Sequence, residues 1–192
     1  AEGDTGLSPS WWEDVWPTRG LAPSETVSAE LSGKVSITLA ILQQAVASNE
    51  KVLLFSQSLE SLSVIEEALK NAPSPREHGG VGWQRGLDYL RFDGTVDTNE
   101  RDMMIQHFSQ PALQLRLFLI STKAGGQGLN LAAASRVIVF DCSWNPAADT
   151  QAVFRSYRYG QTRPVYVYRL IAQGFEQCLY RQQVVKLQLA GR

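Results

Sequence analysis

Cysteine and histidine are nearly missing from this chain. The two cysteines, Cys142 and Cys178, and the two histidines, His78 and His107, share no metal-ligand spacing, which leaves no pattern for a zinc site. Two such cysteines also make no disulfide framework, so a reducing interior is the expected setting. No apolar run approaches the roughly 18 residues of a membrane span, and the acidic, tryptophan-rich beginning is no signal or transit peptide. Internal repeats and low-complexity tracts are absent. So is a G-x-x-x-x-G-K-[ST] loop, and with it the most familiar cradle for nucleotide phosphates.

What remains is an ordinary globule, 192 residues long with 44% hydrophobic and 19% charged residues, enough for one domain with an appendage. Its net charge of −1 hides an asymmetry. Residues 1–30 carry six acids against Arg19 alone, a balance of −5, whereas residues 91–192 carry twelve Lys and Arg against seven Asp and Glu. A basic second half suits a polyanionic partner, although charge alone also fits a plain solvated surface.

Residues 1–31 are rich in Pro, Gly, Ser and Thr and read as a linker or arm, with Trp11, Trp12 and Trp16 available to dock on a surface. From residue 32 to 192 the pattern is one α/β domain. Helical periodicity covers 34–48, 59–70, 97–108, 148–160 and 175–189; apolar strand-like runs cover 51–55, 89–92, 113–121, 135–141 and 165–171. The stretch 71–86 holds Pro, Gly and charge without a period and reads as a loop insertion. Strands alternating with helices, several of them continuously apolar, predict a parallel sheet covered on both faces. In such sheets ligands bind beyond the carboxyl ends of the strands.

One loop lies at such an end. "STKAGGQGLNL", Ser121 to Leu131, follows the run "LQLRLFLI" and holds three glycines in four positions. Glycines there allow a tight turn, or let bare backbone N–H groups approach a phosphate. Downstream, Gln151, Arg155 and Arg158 fall at i, i+4 and i+7, which on a helix places all three on one face. With Ala152, Val153 and Phe154 burying that helix, both guanidiniums would be held toward the glycine loop. An arginine fork gives a phosphate two parallel hydrogen bonds and keeps its charge.

Taken together, "VLLFSQ" (52–57), "YLRFDGT" (89–95), "STKAGGQGLNL", "DCSWNP" (141–146) and "QAVFRSYRYGQ" (151–161) resemble, in order and spacing, the motifs IV to VI of Swi/Snf-type ATPases of helicase superfamily 2. "SGKV" before the first helix, "FSQSLESLSVIEEAL" and Tyr157 are similar to the ATRX-like branch. The resemblance implies the second RecA-like lobe of a two-lobe motor, a parallel sheet with helices on both faces. It implies ATP with Mg²⁺ in the cleft between lobes, the metal held mainly by the first lobe. The implied partners are double-stranded DNA of the nucleosomal kind and the N-terminal helicase lobe of the same protein; the implied location is the nucleus, with no membrane.

Residue by residue, the resemblance makes Arg155 and Arg158 the catalytic arginines. It places Gly126, Gly128, Asn130, Gln151 and Asp149 at the nucleotide. Ser56, Gln57, Gly94, Thr95, Ser121, Thr122, Lys123 and Trp144 fall on the DNA side. Asp93 also matches a DNA-side position, but as an anion it is expected to brace an arginine such as Arg101. Ser121 and Thr122 have turn capping as an alternative, and Trp144 has a place in the core. No Asp-Glu pair for Mg²⁺ stands on a strand, so the chain is expected to carry half an active site and to be inactive alone. Arg181 stands where the ATRX-like branch tends to an acid. A lobe that has lost catalysis and serves as a DNA-binding or protein-interaction module, and an RNA helicase lobe, are the alternatives.

Overall fold

A computed structural model describes residues 32–76, 82–111, 113–125 and 129–190. The elements run α1 (Gly33–Ala47), β1 (Val52–Ser56), α2 (Leu59–Asn71), β2 (Tyr89–Phe92), α3 (Thr98–Ser109), β3 (Leu117–Ser121), a single turn α4 (Thr122–Gly125), β4 (Arg136–Val139), α5 (Pro146–Val153), β5 (Tyr166–Arg169) and α6 (Phe175–Ala190). The expected 1–31 arm lies outside the described residues, as do Gly126 and Gly128 of the glycine loop.

Helix starts are chemically marked. Ser32 and Ser58 accept from the backbone N–H groups of Val35 and Ser61, three residues on, while Asn145 accepts from Ala147 with Pro146 as the first helical residue. These side chains satisfy donors that the first helical turn leaves without an intrahelical acceptor.

Among the described residues the five strands are all parallel, in the order β2-β3-β1-β4-β5. Alternating side chains feed two cores. Val52, Leu54, Leu117 and Leu119 join α1 and α2 through Leu42, Leu62 and Ile65, and Leu53, Phe55, Phe118 and Ile120 join Phe108 of α3 and Ala152 of α5 on the other face. The outer strand β5 is largely exposed.

The topology marks one edge of this sheet. From β1 the chain leaves through α2 toward β2; from β3 it leaves over the opposite face toward β4. The adjacent strands β1 and β3 therefore send their connections in opposite directions, which opens a crevice between their carboxyl ends. Ser56 and Ser121 close the two strands there as register partners.

Two expectations need correction. The run 113–121 is strand only from Leu117, because its neighbours β1 and β2 begin at Val52 and Tyr89 and offer no partner further back. The expected helix 148–160 starts earlier, at Pro146, and stops at Val153. Beyond it Arg155 and Ser156 bond back three residues, to the carbonyls of Ala152 and Val153, and the Ser156 hydroxyl adds a bond of 3.1 Å to Val153. The described ends of the stretch 71–86, residues 71–76 and 82–86, lie at the opposite, amino-terminal edge. There Trp83 is buried with its indole N–H on Pro73 O at 2.8 Å, and the Asp88 carbonyl accepts from Arg116, just before β3.

Candidate functional site

At the carboxyl ends of β1, β2 and β3 lies a cleft of about 350 Å³, lined among others by Gln57, Asp93, Gly94, Arg101, Ser121 and Lys123. Five of these six come from the sequence motifs; Arg101 enters as a wall of the cleft in its own right, its guanidinium 5.6 Å from the centre of the Phe92 ring.

The one carboxylate in that wall is turned to internal use. Asp93 accepts from the Thr95 hydroxyl at 2.6 Å and the Thr95 N–H at 3.1 Å, and pairs with Arg91 at 3.0 Å. The Thr95 hydroxyl above all, helped by its N–H and by Arg91 against the effect of burial, holds Asp93 below the usual carboxylate range. The arginine it braces is thus Arg91, which also reaches Glu66 and Ser63 on α2. Gly94 has ordinary backbone angles, and a Cβ added there meets nothing within 4 Å. Its lack of a side chain is not a demand of the fold.

Ser56 is fully buried, its hydroxyl donating to the Asp141 carboxylate at the end of β4, while Gln57 gives its N–H to Asp141 (2.9 Å) and its side-chain amide to Cys142 O (2.9 Å). These two residues join the ends of β1 and β4. Asp141 was not singled out in the sequence, although an acid closing the apolar run "RVIVF" was the available signal. Ser121 accepts from Ala124 N–H at 3.4 Å and so caps α4, with Thr122 half-buried and Lys123 exposed beside it.

Gly125 has a packing reason to be glycine. A Cβ there would lie 3.0 Å from both Ile120 Cγ2 and Phe55 Cε1. Past the glycines, Leu129 and Leu131 are buried and Asn130 between them is exposed. Leu131 N–H donates to the Arg155 carbonyl at 3.0 Å, and the Gln161 side-chain amide donates to Ala132 O (3.0 Å) and Ala134 O (2.8 Å). The exit of the glycine loop and the arginine turn are therefore one hydrogen-bonded frame.

Within that turn Arg155 is buried and Arg158 exposed; Gln151 is exposed on α5. The three do not share a helix face, because α5 has ended before the first arginine. Burial first, then the neighbouring charges of Arg158 and Arg101, depresses the Arg155 guanidinium. A cluster of cations that disfavour one another suits a polyanion.

Asp149 is buried and faces inward, accepting from Gln183 of α6 at 2.8 Å and from Ser143 N–H at 3.4 Å. Gln183 gave no sequence signal beyond being an amide in a helix. Trp144 is 59% exposed, packed edge-on against Phe175 with ring centres 5.8 Å apart. It is a surface residue.

The model of the helicase conserved C-terminal domain matches residues 33–160, from the start of α1 to the end of the arginine turn. The chain belongs to that family. This helicase lobe is 46% identical, over 95% of its length, to a transcriptional regulator ATRX homolog of Drosophila melanogaster, and 41% identical, over 98%, to the protein CHROMATIN REMODELING 20 of Arabidopsis thaliana. It spans only 14% and 12% of those proteins. The crystal structure of the C-terminal part of the Fun30 ATPase domain superposes on it with a TM-score of 0.67 at 34% identity, covering 78% of this chain and 44% of that one. The lobe is thus RecA-like and of the Swi/Snf type, with ATRX-like relatives. Among the described residues no helix is long and apolar enough to cross a membrane.

Proposed function

We propose that this lobe is the second half of an ATP-dependent motor that translocates along double-stranded DNA, remodels chromatin and works in the nucleus. The observation that carries the reading is a continuous run of cations from the cleft to the arginine turn. The cleft holds Lys123 and Arg101, Arg101 lies near enough to Arg155 to disfavour its charge, and the Arg155–Arg158 turn is bonded to the segment 131–134 that follows the glycines.

In this reading Gln57, Gly94, Thr95, Ser121, Thr122 and Lys123 track DNA phosphates, Trp144 approaches the groove, and Ser56 positions the β1 end beneath them. The bare Gly94 backbone allows a phosphate to come close. ATP fits the arginine turn by its charge: two guanidiniums set near a third call for a ligand of several negative charges. When bound it supplies a phosphoryl group for transfer, with Mg²⁺ held mainly by the first lobe. Arg155, held rigidly by burial, orients the phosphates, and the exposed Arg158 reaches the charge that develops on transfer. Gly126, Gly128 and Asn130 carry the link to the DNA side. Gln151 flanks the nucleotide, and Asp149 acts on that site by fixing the start of α5.

DNA binding tests the reading. The chain should bind duplex DNA weakly, with affinity falling steeply as salt rises from 50 to 200 mM, since phosphate contacts release counterions. Lys123→Ala should weaken binding and flatten the salt slope by about one ion. Binding indifferent to salt, or unaltered by Lys123→Ala, would remove the cleft from the DNA side.

A further inference from the structure

Helix α6 has an odd inner face. Among its described side chains only Leu179 and Gln183 are buried, and one of these two is an amide. Burying an amide costs free energy unless its hydrogen bonds are made, and a leucine there would hold the helix by apolar contact alone. The amide N–H groups are in fact used, donating to Ser143 O and to Asp149 Oδ2. One turn further on, Lys186 Nζ donates to Trp144 O at 3.2 Å, and at the head of the same helix Phe175 packs against the Trp144 ring. Three residues of one helix thus hold the strap 143–149 that carries Trp144 and opens α5.

We propose that Gln183 is a positioning residue, which fixes the Trp144 strap and, through Asp149, the start of the helix that leads to the arginine turn. This deepens the reading of the lobe as a DNA-gripping motor half and rests on it for its functional consequence. The physical content is register. Leu179 and the Glu176 carboxylate, paired with Lys34, hold the head of α6, whereas the Gln183 amide, bonded to a carbonyl and a carboxylate, fixes the middle of the helix against the strap in one placement. The end of α6 therefore reports to both functional sides, by way of the exposed tryptophan and by way of the arginines.

The test uses the whole chain labelled with 5-fluorotryptophan, whose Trp144 and Trp83 resonances are assigned by Trp→Phe substitution. Gln183→Met keeps length and helix propensity but removes both donors. Its expected signature is a shifted or broadened Trp144 fluorine resonance, an unmoved Trp83 resonance at the far edge of the sheet, and duplex affinity reduced about tenfold. Gln183→Glu adds a readout that general loosening would not give. At pH 8 two carboxylates face each other and DNA affinity should fall; toward pH 6 the introduced carboxyl takes up a proton, donates to Asp149 as the amide does, and affinity should recover relative to the native chain. The other charged or titratable groups nearby are Cys142, whose thiol is pushed up by burial and then by Asp149 and Glu176 against the opposite pull of Lys34 and Arg169, those same Glu176, Lys34 and Arg169 side chains, and Lys186 on α6; the native chain carries the same set, so the ratio isolates the new carboxyl. Trp144 unmoved in Gln183→Met, Trp83 moving with it, or no recovery of Gln183→Glu on acidification each overturns the proposal. A moved Trp144 in Gln183→Met, together with a native chain that does not bind duplex DNA, would instead overturn the motor reading and leave the clamp standing.

Discussion

Arg158 is exposed and Arg155 buried, and that difference divides their tasks. A buried guanidinium is held in one orientation; an exposed one costs little until a second surface closes on it. In the assembled two-lobe protein Arg158→Ala should lower ATP turnover by about 10³–10⁵ while ATP and DNA affinities stay within a few-fold. Arg158→Lys should restore little, because an ammonium lacks the planar fork. Near-native turnover in Arg158→Ala, measured beside equilibrium binding, would reduce the residue to a surface charge. Two glycines offer a paired contrast. Gly125→Ala forces a methyl against Ile120 and Phe55 and should cost about 1–3 kcal/mol in a denaturant melt. Gly94→Ala meets nothing in the chain, so it should leave the melt unchanged and weaken DNA binding. If both changes altered only stability, Gly94 would lose its place in the cleft. The motif residues were legible in the sequence as a group. Their burial was not: nothing in the letters distinguishes Ser56, sealed under Asp141, from Ser121, which caps a turn at the cleft. Such differences arise from strands brought together across 85 residues of chain, as in the Ser56–Asp141 bond.

At the scale of elements, period and composition placed every named strand and the longer helices, because buried parallel strands read as continuous apolar runs. The helix ending at Val153 was missed for a reason of the same kind. "AVFRSYRY" keeps a helical period, and the stop comes from tertiary bonds, Leu131 N–H taking the Arg155 carbonyl and Gln161 taking Ala132 and Ala134. Helix α3 carries a testable electrostatic device. Lys51, just ahead of β1, points its ammonium at the carbonyls of Phe108 and Gln110 at the end of α3, where the helix dipole favours a cation. Burial, and then the charge of Arg116, nonetheless pull Lys51 down to about 8 from its ordinary 10.5. The folded state therefore holds this proton less tightly than the unfolded chain. Stability from this group is fully present above about pH 10.5 and is lost as pH falls through 8. Relative to Lys51→Met, the native chain should gain stability between pH 8 and 10, read from urea melts at each pH. A flat difference would mean that Lys51 feels bulk water.

For the molecule as a whole, the half-site reading makes a plain demand. The 192 residues contain no Walker-type loop, so the purified chain should show no ATP hydrolysis, with or without duplex DNA, in a phosphate-release assay. DNA-stimulated turnover by the chain alone would show that the cradle is built from residues assigned other roles above. The sheet order has a consequence in time as well as in space. β1 lies in the middle of the sheet, yet its partners begin only at Leu117 and Arg136. While the chain is being made, the run "VLLFS" leaves the ribosome with both hydrogen-bonding edges open, and α1 and α2 can cover only one of its faces. Loop closure must be completed over this distance before any pairing rewards it, which slows folding and lengthens the exposure of an unpaired apolar strand. During synthesis, then, the first half of this lobe is a client for whatever shields nascent chains, until the strand at 136–139 arrives to close the second edge.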